Sequence, residues 1–420
     1  MLKLITSIEE SKQELNYLLD ELAREGAKKM LISALQTEVN EYIESNKNQL
    51  DEKGHRLVVR NGHSKERTLS VGSGTFKISQ PRVHDKRKDQ KFSSKILPRF
   101  VRNSPKVESL LPALYLKGVS TNNFEGIFKE YLGEEATGFS AASIVKLKRV
   151  WTQEFVKWQK RKIEKKYIYI WADGVNVSIR LGEDKKLCLL VIIGVTEEGT
   201  KELIGLQSGY RESKDSWLSL LRDLTKRGFG SPLLAIADGA LGFWSALREV
   251  SGFEKVKEQR CWVHKIANVL DKLPKRVQPE VKKRLHDMMN AEDKKSAEKE
   301  RDEFIKNYTD KFEKSVKCLV KDWNEMTTFF DFPAKQWIHL RTTNPIESAF
   351  ATVKLRTRVT KGAGSKVTAE AMSFKLLKEC EKKWLKIKGH TEIKNLLNGV
   401  EYKDGVVIDS QEENQNVVAG

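Results

Sequence analysis

Cysteine and long apolar runs are both scarce in this chain, and each scarcity excludes a class of protein. Four cysteines in 420 residues, Cys188, Cys261, Cys318 and Cys380, are too few and too scattered for a disulfide framework, which points to a reducing compartment. The longest apolar run, Leu187 to Val195, is far too short to span a bilayer. The N-terminal residues carry charge too early for the apolar region of a signal peptide. These shortages predict a cytoplasmic protein without membrane contact. No Gly-x-x-x-x-Gly-Lys-Ser/Thr loop occurs, so no nucleotide cofactor is expected. Internal repeats and low-complexity tracts are absent as well.

Positive charge is abundant instead. Lys and Arg number 76 against 58 Asp and Glu, a formal net charge of +18 with a pI near 9.5. That balance favours a polyanionic partner, and nucleic acid is the usual one.

The pattern along the chain predicts a multidomain α+β protein. Residues 1–50 read as two amphipathic helices between Ser7 and Ser45, with Leu15, Leu18, Leu19 and Leu22 on one apolar face and Met30, Leu31, Leu35, Val39 and Tyr42 on another. They suit a dimerisation element or a packed cap. Residues 51–103 contain a β-hairpin, Thr68–Val71 and Thr75–Ile78 about Gly72-Ser73-Gly74. Basic residues crowd it, among them Arg67, Lys77, Arg82 and Arg87, and no acidic block balances them, so it reads as a DNA-binding surface. Residues 104–163 read as three helices: one ending near Lys117-Gly118, one from Ser120-Thr121 to Leu132-Gly133, and one opening at Ser140. The order suits a helix-turn-helix-like bundle, with Lys146 and Arg149 early in its last helix as candidate DNA contacts.

Residues 164–263 change character. Tyr167 to Asp173 is a run of β-branched and aromatic residues ending on a carboxylate, and Leu233 to Asp238 ends the same way. Between them lie strands Leu187–Thr196 and Lys201–Leu206 and helix Asp215–Arg227; helix Leu241–Val250 and a short strand near Val256–Arg260 follow. Three meandering strands, a helix, a strand, a helix and a strand is the ribonuclease-H order, with the first strand central and the fourth beside it. Residues 264–336 are helical and charged, an insertion into that catalytic fold. Residues 337–390 return to it with a helix from Asn344 to about Thr360 and another from Lys366 to Lys388; residues 391–420 form a tail, polar from Asp409 onward.

Three acids stand out: Asp173, Asp238 and Glu347. Each has an ordinary explanation. Asp173-Gly174 suits a type I′ turn, Asp238 suits a helix N-cap, and Asn344-Pro345-Ile346-Glu347 has the layout of a capping box. Taken together in a ribonuclease-H order, they converge. Clustered carboxylates repel, and divalent cations relieve them; oxygen-only ligands suit Mg²⁺ (or Mn²⁺), with two ions about 4 Å apart serving an in-line phosphoryl transfer. On the Glu347 helix, Ile346, Phe350 and Val353 form a buried stripe, while Lys354 and Arg358 share a face with the acid as candidate phosphate contacts.

The residues Trp171-Ala172-Asp173-Gly174, Ala237-Asp238-Gly239, Gln259-Arg260-Cys261-Trp262-Val263-His264-Lys265 and Arg341-Thr342-Thr343-Asn344-Pro345-Ile346-Glu347 give the chain its resemblance to the Mutator-type transposases of bacterial insertion sequences, over nearly its whole length. The resemblance implies a DDE recombinase with Asp173, Asp238 and Glu347 as metal ligands. It also implies terminal inverted repeats and target sites in double-stranded DNA as substrates, and a homodimer or larger synapse. Arg341, Asn344, Cys261 and His264 would then be motif residues near the active site. A zinc site needs four ligands, and no other cysteine or histidine has partner spacing, so Cys261 and His264 read as packing or hydrogen-bonding residues. The rival readings are a ribonuclease-H-like nuclease that cleaves without joining strands, and a catalytically inactive DNA-binding regulator.

Overall fold

The computed structural model describes residues 2–88, 90–120, 123–139, 141–180, 186–209, 211–239, 241–359 and 362–408, with the backbone alone at 2–17, 141 and 241. Thr121 and Ser140, expected at two helix starts, Thr360, and the tail from Asp409 lie outside the described residues. The protein is mixed α+β and divides into two compact units, Met1–Arg149 and Val150–Gly420.

In the first unit, one helix, α1 (Leu2–Ser45), replaces the two expected. The chain has no proline there, and Gly26 costs an exposed helix only about 1 kcal/mol. A Cβ on Gly26 would meet no neighbouring element within 4 Å, so no close packing calls for a bend there. Leu35 of α1 packs with Leu69, Phe76, Ile78 and Leu97 in one core, whereas Leu18, Leu19 and Leu22 stay exposed. The expected hairpin is present as β2 (Arg67–Val71) and β3 (Gly74–Ile78), flanked by an antiparallel pair, β1 (Val58–His63) and β4 (Pro81–Asp85). The flanking pair was illegible because β1 buries only Val58, leaving no apolar alternation to read.

Two of the basic residues around the hairpin are structural. Arg67 donates to Gln80 and to the carbonyls of Leu97 and Pro98. Arg87 forks onto Asp85 (2.6 and 2.8 Å) and also donates to Tyr42, Asn46 and Gln49. Arg87 holds the Asp85 carboxyl well below its ordinary range, so the network's stabilisation is present above about pH 4 and lost as pH falls further. Arg87→Ala should therefore lower the urea midpoint at pH 7 and have a shrinking effect toward pH 2, checked by melts at both.

The three-helix segment is α2 (Pro105–Leu116), α3 (Phe124–Leu132) and α4 (Ala141–Gln159). Ser104 caps α2 with Pro105 in its first turn, and Phe124, Phe128 and Phe139 stack in its core.

The second unit is built on a five-stranded sheet. β5 (Tyr167–Ser178) is central; β6 (Lys186–Thr196) and then β7 (Lys201–Gly209) extend it antiparallel on one side, and β8 (Leu234–Ala237) and then β9 (Lys257–Arg260) parallel on the other. β5 does not end at Asp173; it runs on through Gly174 to Ser178, paired with β6 throughout, so the turn reading of Asp173-Gly174 is excluded. A register irregularity between Tyr167 and Tyr169 puts Tyr167, Ile170 and Ala172 in one core. That core is closed by α5 (Lys214–Lys226) and α6 (Leu241–Arg248) through Trp217, Leu221, Leu224, Phe243 and Leu247. The alternate residues Tyr169 and Trp171 point to the opposite face, bonding Gln336 and the His339 carbonyl.

A helical stretch follows β9: α7 (Trp262–Leu270), α8 (Gln278–Met289), α9 (Lys294–Val320) and α10 (Trp323–Thr327). After the short α11 (Trp337–Leu340) come α12 (Asn344–Val359) and α13 (Lys366–Glu381). α12 packs on β5 and buries Ile346, Phe350 and Val353, with Ala349 added. α13 stops short of Lys388 because the chain after it turns back to the sheet: Ile387 is buried and its N–H bonds the Gly199 carbonyl at 3.0 Å.

Candidate active site

Ala172 and Ala237 face each other in register on the adjacent parallel strands β5 and β8. Asp173 and Asp238 each follow one residue later, so the strand pairing itself brings the two carboxylates together. A third acid that the sequence reading missed, Glu212, joins them: oxygens of Asp173, Glu212 and Asp238 all lie within 4.8 Å of one another. Glu212 stands between the end of β7 and Ser213, the N-cap of α5. An acid directly before a helix-capping serine, at a strand end, was the available signal.

Glycines make the room for it. A Cβ on Gly174 would lie 2.4 Å from Glu212 Oε1, and one on Gly242 would lie 2.2 Å from the Glu212 carbonyl oxygen and 2.9 Å from Lys214 N. The glycine of the Trp171-Ala172-Asp173-Gly174 motif thus serves close approach, not a turn. In an open helix, Gly→Ala at position 242 would gain about 1 kcal/mol. Here the obstacle is backbone, so Gly242→Ala should instead destabilise by roughly 1–3 kcal/mol, read as a lowered denaturation midpoint.

Burial and mutual repulsion set the charge state of this group. Asp173 is pushed up to about 7, first by burial and then by Asp238 and Glu212, against the opposing effects of the Gly174 N–H (2.7 Å) and His264. Burial, then Asp238, raises Glu212. The buried Cys188 thiol is driven to about 12 by burial and then by Glu212 and Asp173.

Glu347 belongs to a neighbouring group with Cys261 and His264, whose donor atoms also lie within 4.8 Å of one another. The structure thus brings two of the three expected acids into one cluster and sets the third in the next. His264 interacts electrostatically with both. It is raised to about 9, first by its hydrogen bond to Cys261 and then, against burial, by the charges of Cys261, Asp238 and Glu347. Thr343 sits at the centre of this second group. Its N–H and its hydroxyl both reach Cys261 Sγ (3.3 and 3.2 Å), and the hydroxyl lies 2.6 Å from Glu347 Oε1 and 3.4 Å from His264 Nδ1. A capping box would direct the cap residue's N–H to the glutamate carboxylate. Here the N–H of Asn344, the cap of that box, reaches the Thr342 hydroxyl (3.4 Å), and Glu347 accepts from the Thr343 hydroxyl instead, so Glu347 is not performing that role.

The remaining motif residues brace the site. Gln259 bonds the Met326 carbonyl and the Phe329 N–H, and Trp262 Nε1 also bonds the Met326 carbonyl, pinning α10 to β9 and α7. Arg260 pairs with Asp322, and its guanidinium fills the space over Gly239. Arg341 stacks on Phe329 and Trp337 and donates to Asn290; burial lowers its pKa to about 10. Asn344 is exposed at the start of α12. Of the expected DNA contacts, Arg82, Lys146, Arg149, Lys354 and Arg358 are exposed, and Lys77 pairs with Glu135 at 2.9 Å.

Oxygen-only donors at Asp173, Glu212 and Asp238 fit a hard divalent cation such as Mg²⁺ or Mn²⁺, since three crowded carboxylates need positive charge to ionise together.

Comparison with known proteins places this geometry in context. The family model "Transposase, Mutator family" matches residues 2–386. The transposase for insertion sequence element IS6120 of Mycolicibacterium smegmatis is 46% identical over 279 residues, 66% of this chain and 85% of that protein. The transposase for element IST2 of Acidithiobacillus ferrooxidans is 46% identical over 276 residues, 66% and 93% of the two chains. The transposase for element IS905 of Lactococcus lactis is 25% identical over 340 residues, 81% and 84%. No described helix is long and apolar enough to cross a membrane.

Proposed function

Because the chain belongs to the Mutator family of transposases, we propose that it binds the terminal inverted repeats of an insertion sequence and catalyses DNA cleavage and strand transfer there as a DDE enzyme. The observation carrying this reading is the placement of Asp173 and Asp238, one step beyond a paired position on the two central parallel strands. The sheet order, with the first strand between the second and the fourth, is the order of a ribonuclease-H-like catalytic domain and supports it further.

In this reading, Asp173, Asp238 and Glu212 hold the divalent cations, and Glu347 completes the catalytic set when it moves toward the aspartates. Two Mg²⁺ or Mn²⁺ ions, when bound, supply Lewis acidity for an in-line phosphoryl transfer. The chain's own residues do the rest. Trp171 and Tyr169, buried and hydrogen-bonded beneath Asp173, fix its strand; protonated His264 places positive charge between the acid pair and Glu347; Lys354 and Arg358 contact phosphates beside α12. Arg82, Lys77, Lys146 and Arg149 supply DNA contacts from the first unit, with the three-helix segment as a helix-turn-helix-like reader. The exposed Leu18, Leu19 and Leu22 of α1 suit the homodimer or larger synapse that pairing two element ends requires.

The test is Mg²⁺-dependent cleavage of DNA carrying the flanking element's ends, followed by joining of pre-cleaved ends to a target duplex. Cleavage without joining would reduce the protein to a nuclease. Neither activity, with end binding intact, would make it a regulator.

A further inference from the structure

The two neighbouring donor groups differ in chemistry. One offers only carboxylate oxygen; the other offers a thiol, an imidazole and a carboxylate. We propose that Cys261, His264 and Glu347 form a second cation site, selective for a thiophilic divalent ion such as Zn²⁺ or Cd²⁺, and that filling it holds Glu347 away from the acid pair. The site itself stands on geometry; the effect on Glu347 rests on the function proposed above.

Three elements deliver the donors. Cys261 follows β9 and is fixed by its N–H bond to the Ala237 carbonyl (2.8 Å), His264 lies on α7, and Glu347 lies on α12. All three point at one place, because a single hydroxyl, that of Thr343, is within 3.2 Å of the sulfur, 3.4 Å of Nδ1 and 2.6 Å of the carboxylate oxygen. That hydroxyl has one proton to share among three groups, and His264 gives up its own proton when a cation takes its nitrogen. A divalent cation satisfies all three at once, once the Thr343 side chain rotates aside. Sulfur, nitrogen and oxygen donors with a fourth position left for water or hydroxyl suit zinc, whereas magnesium avoids thiolate. Spacing along the sequence offers zinc no further cysteine or histidine. The missing donor is the glutamate, brought in from far along the chain by the fold.

The test titrates Cd²⁺ into the full chain in millimolar Mg²⁺ and reads the ultraviolet sulfur-to-cadmium charge-transfer band, with Zn²⁺ as competitor. One equivalent of Cd²⁺ should generate the band in the wild type and in Asp173→Asn; Cys261→Ser should lack it. Should Cys261→Ser fold poorly, Glu347→Gln and His264→Ala serve instead, each expected to weaken Cd²⁺ binding about tenfold or more. A wild type without the band, a band surviving in Cys261→Ser, or an affinity indifferent to both of the other variants overturns the site. In the activity arm, micromolar Zn²⁺ should inhibit cleavage despite excess Mg²⁺. Cadmium binding with undiminished cleavage would overturn the hold on Glu347. A chain with no Mg²⁺-dependent cleavage at all would instead sink the proposed function and leave the spectroscopic result to decide the site.

Discussion

Asp173→Asn is expected to cut Mg²⁺-dependent cleavage by about 10³-fold or more and, in the same protein, to raise the melting temperature. Both effects follow from one carboxylate. Asn keeps the shape and loses the charge that, under the proposed function, would hold a cation between β5 and β8, and removing a member of a cooperating catalytic set typically costs several powers of ten. The stability effect has the opposite sign. The carboxyl of Asp173 rises from an ordinary 3.8 to about 7 in the folded chain. The native state therefore holds its proton more tightly than the unfolded state, so the group's contribution to stability falls as pH rises between about 4 and 7. Above pH 7 the cost of ionising it in place is on the order of 2–4 kcal/mol without metal. The variant should match the wild type near pH 4, exceed it at pH 8, and lack the stabilisation by Mg²⁺ that the proposed site predicts for the wild type. Thermal melts at both pH values, with and without Mg²⁺, check this. A variant that melts lower than wild type at pH 8 without metal would show that Asp173 is held by contacts its charge does not penalise.

Much of this arrangement was legible because it rests on local patterns. The buried runs Tyr167–Ala172 and Leu234–Ala237 announce strands by composition, and their common ending in Asp-Gly marks two equivalent positions. Helix α12 was readable from the spacing of Ile346, Phe350 and Val353. Long-range effects were harder to read. The extension of β5 past Asp173 is imposed by pairing with β6, which local turn propensity cannot anticipate. The role of Gly174 depends on Glu212, whose approach only the folded sheet defines. Arg87 reads as one more surface cation until Asp85 and Tyr42 are brought beside it. Glu347 was found by motif, but its companions in space, Cys261 and His264, come from a separate motif, and their meeting through Thr343 is a tertiary fact.

Glu212→Gln carries the second large effect. If Glu212 only packs against Gly174, the amide, of equal size, should leave catalysis unchanged. If its charge helps hold the cation, cleavage should fall about 10–100-fold at fixed Mg²⁺ and recover in part as Mg²⁺ is raised, because Asp173 and Asp238 remain. Partial rescue separates this variant from Asp173→Asn, where added Mg²⁺ should restore little. The pair should also be non-additive: with Asp173 already neutral, losing the charge at Glu212 should cost much less than it does alone, since both act on the same ion. Stability supplies the control. Burial and Asp238 raise the Glu212 carboxyl too, so its neutral replacement should stabilise the metal-free chain above neutral pH. Lower activity in a chain that melts higher cannot come from misfolding. It requires that the carboxylate absent from the sequence motifs act in the site they mark.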